Sequence, residues 1–466
     1  MQVYPLYSAT VPFHIIILNS FLRIKEKHTL KLSKIIIFLK TYVERKRLYK
    51  LSIRNPKKFR SWQKKRHKQH LAKIVNYSVY YKEVVEKYGV FPVIDKSILM
   101  ENFDNLNTVG ISFENARSTA LLAEHSRDFS PKIGTVSVGL SSGTTGNQGI
   151  FLVSDKEITQ WSAAVIAKLI DFTKFRKNKI NIAFFMRANN NLYESINNSK
   201  MSIHFFDLLT PIEKNLTDLD KTSPNVIVAQ PSMLRLIAQH YEQYNRDYEI
   251  KEIYSIAEVL DPIDEEYISQ VMGMPVKQVY QATEGFLATT CQHGKLHLNE
   301  DIIYVEKEYI DKDSRRFVPI ITDLYRISQP LVRYRLNDVL IEAIEPCPCG
   351  SCFTTLETIE GREDDCFILT NITGQKITLF ADFIRYAIIK ADERITEYRA
   401  IQNSNGSIEI QLNLNPYYFS EIKEKILKNF IDLFYQFEIE DFMMYFNNTI
   451  ELTKNGKMRR IERIKK

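Results

Sequence analysis

From about Leu30 to Tyr88 apolar residues return at helical spacing between long basic side chains, and Pro56 predicts a break between helices. The stretch Val90 to Ile98, carrying Pro92, reads as a connection. The texture then changes. Thr135 to Leu140 alternates as a strand, 141–149 is a loop, Phe151 to Val153 resumes as a strand, and Ile158 to Ile170 has the apolar spacing of a helix. Short apolar runs at 181–185, 203–209 and 226–229 are separated by helical patterns such as Ser232 to Tyr244. That alternation predicts an α/β fold with mixed, mostly parallel sheets. Asp301 to Glu345 is richer in strands, and beyond Gly361 come short strands and one helix, Glu421 to Phe437. The expected division is a basic helical N-terminal extension over 1–60, a large domain over 61–360 and a small α+β C-terminal domain over 361–466.

With 44% hydrophobic and 26% charged residues, the 466-residue chain has the composition of an ordinary globular protein, which excludes collagen-like, coiled-coil and wholly disordered readings. Charge is less evenly spread. Residues 1–82 hold twenty Lys or Arg against two acids, Glu26 and Glu44, while the remainder is acidic on balance. Such an arm suggests an anionic contact, phospholipid or nucleic acid. Its interleaved apolar residues, Ile35, Ile36, Phe38 and Leu39, equally suit a helix packed on the main body. No segment reaches the roughly 18 to 20 apolar residues of a spanning helix, and the first basic residue, Arg23, follows the apolar stretch Val11 to Leu18 instead of preceding it as in a signal peptide. A soluble protein is expected. Five cysteines, three of them within six residues, do not form a secreted disulfide framework, so a reducing cytoplasm is the expected compartment.

Glycine is scarce, 15 in the whole chain, yet three fall within Ser141-Ser-Gly-Thr-Thr-Gly-Asn-Gln-Gly149 beside four hydroxyl side chains. Glycines let backbone approach a ligand, and N–H groups with hydroxyls can cradle phosphate oxygens. The loop lacks the Gly-Lys-Ser/Thr of the Walker motif and the glycine spacing of the dinucleotide fold. Downstream, in order, stand Val279-Tyr-Gln-Ala-Thr-Glu284, Tyr334-Arg-Leu-Asn-Asp338, Gly361-Arg-Glu-Asp-Asp365 and Asn455-Gly-Lys-Met-Arg459. This ordered set resembles the adenylate-forming superfamily of acyl-CoA synthetases, luciferases and peptide-synthetase adenylation domains. Within it the chain looks most like the phenylacetate-CoA ligase branch and the related capsular-biosynthesis and deazaflavin-coenzyme synthetases, from about Trp62 to the C-terminus.

The resemblance implies roles residue by residue. Ser142, Gly143, Thr144, Thr145 and Gly146 would hold the β and γ phosphates of ATP. Tyr280 would stack on adenine, Thr283 would contact the α-phosphate, and Glu284 would help hold Mg²⁺. Asp338 would accept hydrogen bonds from the ribose, with Arg362 close by. Lys457, in a mobile C-terminal domain hinged at Asp364, would neutralise charge during adenylation. The chain departs from the pattern in three places. Gln148 and Gly149 replace a common Pro-Lys, Leu336-Asn337 replaces Thr-Gly, and Ile256-Ala257-Glu258 stands where Gly-Gly-Glu is usual.

Cys347-Pro-Cys-Gly-Ser-Cys352 puts three thiols on one turn, and Cys291-Gln-His293 begins 56 residues before it, with His297 beside. Thiolate and imidazole ligands on two loops make a tetrahedral structural zinc site. The expected ligands are Cys291, Cys347 and Cys349, with Cys352 or His293 as the fourth; Cys366 is expected in the core. The resemblance implies an enzyme that activates a small-molecule carboxylic acid, aryl or acyl, with Mg-ATP to an acyl adenylate, releases pyrophosphate and passes the acyl group to a thiol, with coenzyme A the expected acceptor. Delivery to a carrier-protein thiol or adenylation of a cofactor hydroxyl are alternatives. A zinc-containing module that binds nucleic acid or membrane without catalysis is the alternative of another class, with nucleic acid disfavoured and peripheral membrane contact left to the basic arm. Phe184, Phe185, Phe205 and Phe206 are candidates to line the acid pocket.

Overall fold

The computed structural model describes residues 13–126, 131–140, 149–171, 175, 179–186, 201–208, 210–244, 249–362, 366–451 and 459–464, and side chains from Leu32 onward except at 124, 125, 311 and 382. Helices α1 (Phe13–Arg54), α2 (Pro56–Tyr77), α3 (Val79–Tyr88), α4 (Lys96–Glu101), α5 (Phe103–Leu106) and α6 (Phe113–Ser126) come first. Asn55 ends the first and starts the second: its side chain accepts from the Lys58 amide at 3.0 Å, and Pro56 occupies the first helical turn, where its missing N–H costs nothing. The helix α2 is continuous through residue 60, so no break falls at the expected edge of the N-terminal extension. Arg45 of α1 is buried against Asp301, which also pairs with Lys168, and its guanidinium reaches the Tyr325 hydroxyl. The arm is thus keyed into the body by a buried charge cluster.

A three-stranded antiparallel sheet, β1 (Lys132–Ile133), β2 (Val136–Leu140) and β3 (Ile150–Ser154), precedes α7 (Asp155–Leu169). The glycine-rich segment joins β2 to β3, and Ser142, Gly143, Thr144, Thr145 and Gly146 lie outside the described residues. The alternating core follows as β4 (Ile180–Met186), β5 (Met201–Asp207), α8 (Ile212–Thr222), β6 (Val226–Ala229), α9 (Pro231–Gln243), β7 (Glu252–Ile256), α10 (Pro262–Met272), β8 (Val276–Ala282) and β9 (Gly285–Thr290). Then come β10 (Leu296–Leu298), β11 (Ile303–Asp311), β12 (Arg316–Asp323), β13 (Tyr334–Arg335), β14 (Asp338–Glu342) and β15 (Thr355–Arg362). These strands form one sheet in the order β11-β12-β14-β15-β10-β9-β8-β7-β6-β4-β5, with β13 paired to β12. From β5 to β8 every pairing is parallel; from β8 through β9 onward every pairing is antiparallel.

Period-two alternation sorts the parallel strands between two cores. Phe185, Phe206, Ile227 and Ile253 pack with α8, α9 and α10, whereas Phe184, Val226, Val228 and Tyr254 face α7 and the N-terminal helices. The last strand of the large sheet ends at Arg362, and a separate core begins at Phe367. There a hairpin of β16 (Phe367–Thr370) and β17 (Lys376–Leu379) leads to α11 (Ala381–Ile389), and a sheet ordered β20-β19-β18-β21 packs beside α12 (Pro416–Gln436). Its strands are β18 (Tyr398–Gln402), β19 (Ile408–Leu412), β20 (Met444–Asn447) and β21 (Ile461–Arg463). Cys366 is buried at the start of this smaller sheet domain.

The two cores meet across an ion-pair layer. Asp261 caps α10 and accepts from Arg385 at 3.1 Å and from the Tyr398 hydroxyl at 2.9 Å. Asp264 accepts from Arg235 at 3.1 Å and from Arg460 at 2.5 Å, and Arg235 lies 3.5 Å from Glu397. Asp364 and Lys457 both lie outside the described residues. Arg460, three positions after Lys457, is therefore held against the large domain.

Candidate active site

Where the large sheet changes from parallel to antiparallel, β8 turns into β9 through Thr283 and Glu284. Thr283 is exposed and Glu284 half-buried. A register shift between Tyr280 and Gln281 marks an irregularity just before the turn. The Tyr280 hydroxyl donates to an Asp338 oxygen. Asp338 opens β14 directly opposite Arg362 on β15, and the Arg362 Nε lies 4.0 Å from its second oxygen. Glu284 accepts from the Tyr334 hydroxyl at 3.2 Å. Four of the residues expected to bind nucleotide and metal, Tyr280, Glu284, Asp338 and Arg362, thus converge from three separate stretches of chain.

The electrostatics of this cluster are strained by burial. Burial pushes the Glu284 carboxyl above its ordinary value, and the neighbouring Asp338 charge pushes the same way. Tyr280 is raised well above the tyrosine range by burial, then by Asp338. Two carboxylates sharing a half-buried site is an arrangement that a hard divalent cation relieves, so the residues fit Mg²⁺ with Glu284 as the protein ligand.

Two basic residues at this site carry no motif and escaped the sequence reading. Arg326 is buried; its Nη1 donates to the Thr283 and Glu284 carbonyls at 3.1 and 3.3 Å, and its Nη2 to the Leu152 carbonyl at 3.4 Å. It ties the turn to β3, the strand that follows the glycine-rich segment. Gln329 reinforces the same junction, accepting from the Leu152 amide at 3.0 Å and donating to the Ile150 carbonyl at 3.1 Å. Lys96 begins α4 behind the Asp95 cap and is half-buried. Burial lowers its pKa, while the charge of Glu284 raises it and that of Arg362 lowers it. Its ammonium therefore shares the field of the site. It stands in a stretch that the sequence marks only as a connection.

The four phenylalanines divide. Phe184 and Phe205 belong to the core that Tyr280 packs against. Phe185 and Phe206 stack on one another at 4.4 Å on the opposite face, under the helices, so they do not border this site. Ala257, where the resemblance has glycine, sits at a φ of 63°, a left-handed conformation that costs a side-chain-bearing residue about 1 to 2 kcal/mol.

A second cluster lies at the antiparallel side of the sheet. Cys291, His297, Cys347 and Cys349 bring their ligand atoms within 4.8 Å of one another. The Cys291 and Cys347 sulfurs are 3.5 Å apart, and the Cys349 sulfur is 3.5 Å from His297 Nε2. Zinc bonded to thiolates at about 2.3 Å separates tetrahedral sulfurs by about 3.8 Å, so the spacing fits. The other ring nitrogen, Nδ1, lies 3.2 Å from the Phe353 carbonyl, which orients the imidazole toward the thiols. Gly294 and Gly350, at φ of 78° and 74°, close two tight turns whose amides donate back to the Cys291 and Cys347 carbonyls. The fourth position is His297, not the expected His293 or Cys352. His293 is exposed at the tip of the hairpin, whereas Cys352 pairs through its backbone with Ser52 and Arg60 and so faces the N-terminal helices. A metal held by these four protein donors would have no open position, the arrangement of a structural and not a catalytic centre.

No family model matches the chain. A phenylacetate-coenzyme A ligase of Thermus thermophilus is 20% identical over 235 residues, 47% of this chain and 51% of the relative. The chain thus spans about half the length of the curated relative it matches. Among solved structures, 2-hydroxyisobutyryl-CoA ligase in the postadenylation state in complex with R3-HIB-AMP superposes with a TM-score of 0.63 at 15% identity, covering 86% of this chain and 88% of that one. The same ligase in its thioesterification state with 2-HIB-AMP and CoA gives 0.53 at 17% identity, covering 89% and 92%. The chain has the fold of the adenylate-forming enzymes, a large domain with a partly parallel sheet followed by a smaller C-terminal sheet domain.

Proposed function

We propose that the protein is an adenylate-forming ligase that activates a carboxylic acid with Mg-ATP and transfers the acyl group to coenzyme A. The observation that carries this reading is the convergence of Tyr280, Glu284, Asp338 and Arg362 on the turn where the sheet changes from parallel to antiparallel. In the first half-reaction the substrate carboxylate oxygen attacks the α-phosphorus of ATP and the bond to pyrophosphate breaks. In the second, the coenzyme A thiolate attacks the acyl carbon and AMP leaves with the bond electrons; the thiol proton passes to solvent.

Each residue has a task in that sequence. Asp338, already oriented by the Tyr280 hydroxyl and by Arg362, accepts from the ribose, and the Tyr280 ring offers its face to adenine. Thr283, exposed on the turn, meets the α-phosphate; Arg326 fixes that turn through its two carbonyls. Magnesium held at Glu284 would neutralise phosphate charge there. Lys96 adds a cation whose charge is coupled to that of Glu284. Ser142 to Gly146 would cradle the terminal phosphates, and Lys457 would enter for adenylation, Asp364 acting as hinge. Phe184 and Phe205, in the same core as Tyr280, would be the aromatic residues nearest the acyl group. Zinc in the Cys₃His cluster would fix the two turns beside the sheet without touching substrate, and a cytoplasmic setting keeps its thiols reduced. Acid-dependent release of pyrophosphate from ATP, screened over aryl, short-chain and fatty acids, tests the proposal: release with none of them contradicts it. A carrier protein replacing coenzyme A in the second step would redirect the acceptor while leaving the first step intact.

A further inference from the structure

The N-terminal helices carry a surface that the site does not use. On α1, Leu32, Ile35, Ile36, Leu39 and Val43 are 59, 55, 44, 55 and 61% exposed. At about 100° per residue these five positions fall within an arc of about 100°, a single apolar stripe. It is not the face that joins the body: Thr41, Arg45 and Leu48 are buried, and Phe38 and Tyr42 pack on the main core. The helix therefore has one apolar face spent on folding and a second presented to solvent.

Cations border this stripe. Lys40, Arg47, Lys50 and Arg54 are exposed on the same helix. The helix α2 adds Lys57, Lys58, Lys64, Lys65 and Lys68, all exposed, with no acid between Glu44 and Glu83. The groove between α1 and α7, about 730 Å³, has Leu39 and Val43 in its lining with Arg47 and Lys156 among its charged members. The acids that could quench the patch are engaged elsewhere: Glu44 pairs with Arg45, Asp155 with Lys34 and Lys132, and Glu300 with Arg60.

We propose that α1 and α2 dock the protein on an anionic lipid bilayer, the stripe entering the boundary between headgroups and acyl chains and the lysines meeting headgroup phosphates. The combination selects this occupant. An apolar stripe flanked by cations is the pattern of an interfacial helix, whose apolar face sinks about 5 to 10 Å below the headgroups, and basic side chains near the surface add electrostatic attraction. Nucleic acid would engage the lysines but leave the stripe in water. Among the described residues no helix is long and apolar enough to cross a membrane.

Co-sedimentation of the full chain with phosphatidylcholine vesicles, with and without phosphatidylglycerol, tests the proposal. The protein should pellet with the anionic vesicles, not the neutral ones, and salt should release it. Leu39→Ser with Val43→Ser, both at exposed positions, should weaken binding at least about tenfold, since burying each side chain is worth more than that factor, while the melting temperature stays that of the parent. Lys57→Glu with Lys64→Glu should weaken it through charge alone and flatten the salt dependence. Absence of binding to anionic vesicles, or full binding by the stripe variant, overturns the proposal. So does a stripe-dependent dimer in sedimentation velocity, which would make a second copy the occupant. Binding to duplex nucleic acid that is steep in salt and indifferent to the stripe would assign the lysines elsewhere and overturn it as well.

Discussion

Replacing Glu284 by Gln should raise the stability of the nucleotide-free protein and sharply slow its activity. Burial, then the Asp338 charge, lifts the Glu284 pKa above its ordinary value of 4.5. Between that value and the raised one, the folded protein keeps a proton that the unfolded chain has released. Stability therefore falls as pH rises through that window, and the deficit is complete above the folded pKa. Glutamine keeps a carbonyl oxygen to accept from the Tyr334 hydroxyl, a contact already long at 3.2 Å, so the substitution isolates the charge. Thermal melts of Glu284→Gln without nucleotide should lie above the parent at neutral pH, converge with it in acid, and show a flatter pH dependence. The same charge is what the proposed magnesium site requires. Loss of one preorganised electrostatic group of this kind typically costs about 100- to 1,000-fold, or about 2.7 to 4 kcal/mol, in the chemical step. Pyrophosphate release with a saturating acid should fall by that order. A Glu284→Gln protein that melts lower at neutral pH, or that retains the parental rate, would refute the reasoning about this cluster.

Three further outcomes are expected, the last from the proposed function. Purified protein should carry about one zinc per chain, and His297→Ala should release it while His293→Ala does not; elemental analysis showing no metal in the parent would contradict the Cys₃His assignment. Asp264→Asn leaves Arg235 and Arg460 short of a buried partner, a loss that typically costs about 3 to 5 kcal/mol; because that pair bridges the two cores, small-angle scattering should show the C-terminal domain released from its present position, and an unchanged profile would count against the layer as a latch. Lys457→Ala should slow adenylation by about 100- to 1,000-fold and spare thiol transfer from a preformed acyl adenylate; equal loss in both half-reactions would contradict alternation of the C-terminal domain.

The elements were legible in the sequence, and their arrangement only partly. Apolar spacing marked three of the five parallel strands, β4, β5 and β6, and the helix α9 to within about two residues, because strand and helix periods differ enough to be separated in one dimension; β7 and β8 were not read as strands. The sheet order was not legible: β10 pairs with β15 across 60 residues, and no local pattern encodes that partner. The same limit applies to the fourth member of the Cys/His cluster. Chain spacing offers Cys352 or His293, but the hairpin turns the His293 tip to solvent and returns the chain so that His297, opposite Thr289 on β9, meets the thiols. Tyr280, Glu284, Asp338 and Arg362 were legible as an ordered set of motifs. Arg326 and Lys96 belong to no motif, and only the folded chain brings them to that site.

Activation of the acid as an acyl adenylate leaves an isotopic signature. The acid identified in the pyrophosphate screen can be prepared with ¹⁸O in its carboxylate and incubated with the protein, Mg-ATP and coenzyme A. Attack of the carboxylate on the α-phosphorus, followed by thiol attack on the acyl carbon, leaves one labelled oxygen on AMP. Mass spectrometry of the nucleotide products should therefore show ¹⁸O in AMP and none in pyrophosphate. Label in inorganic phosphate with formation of ADP, or unlabelled AMP, would contradict the account.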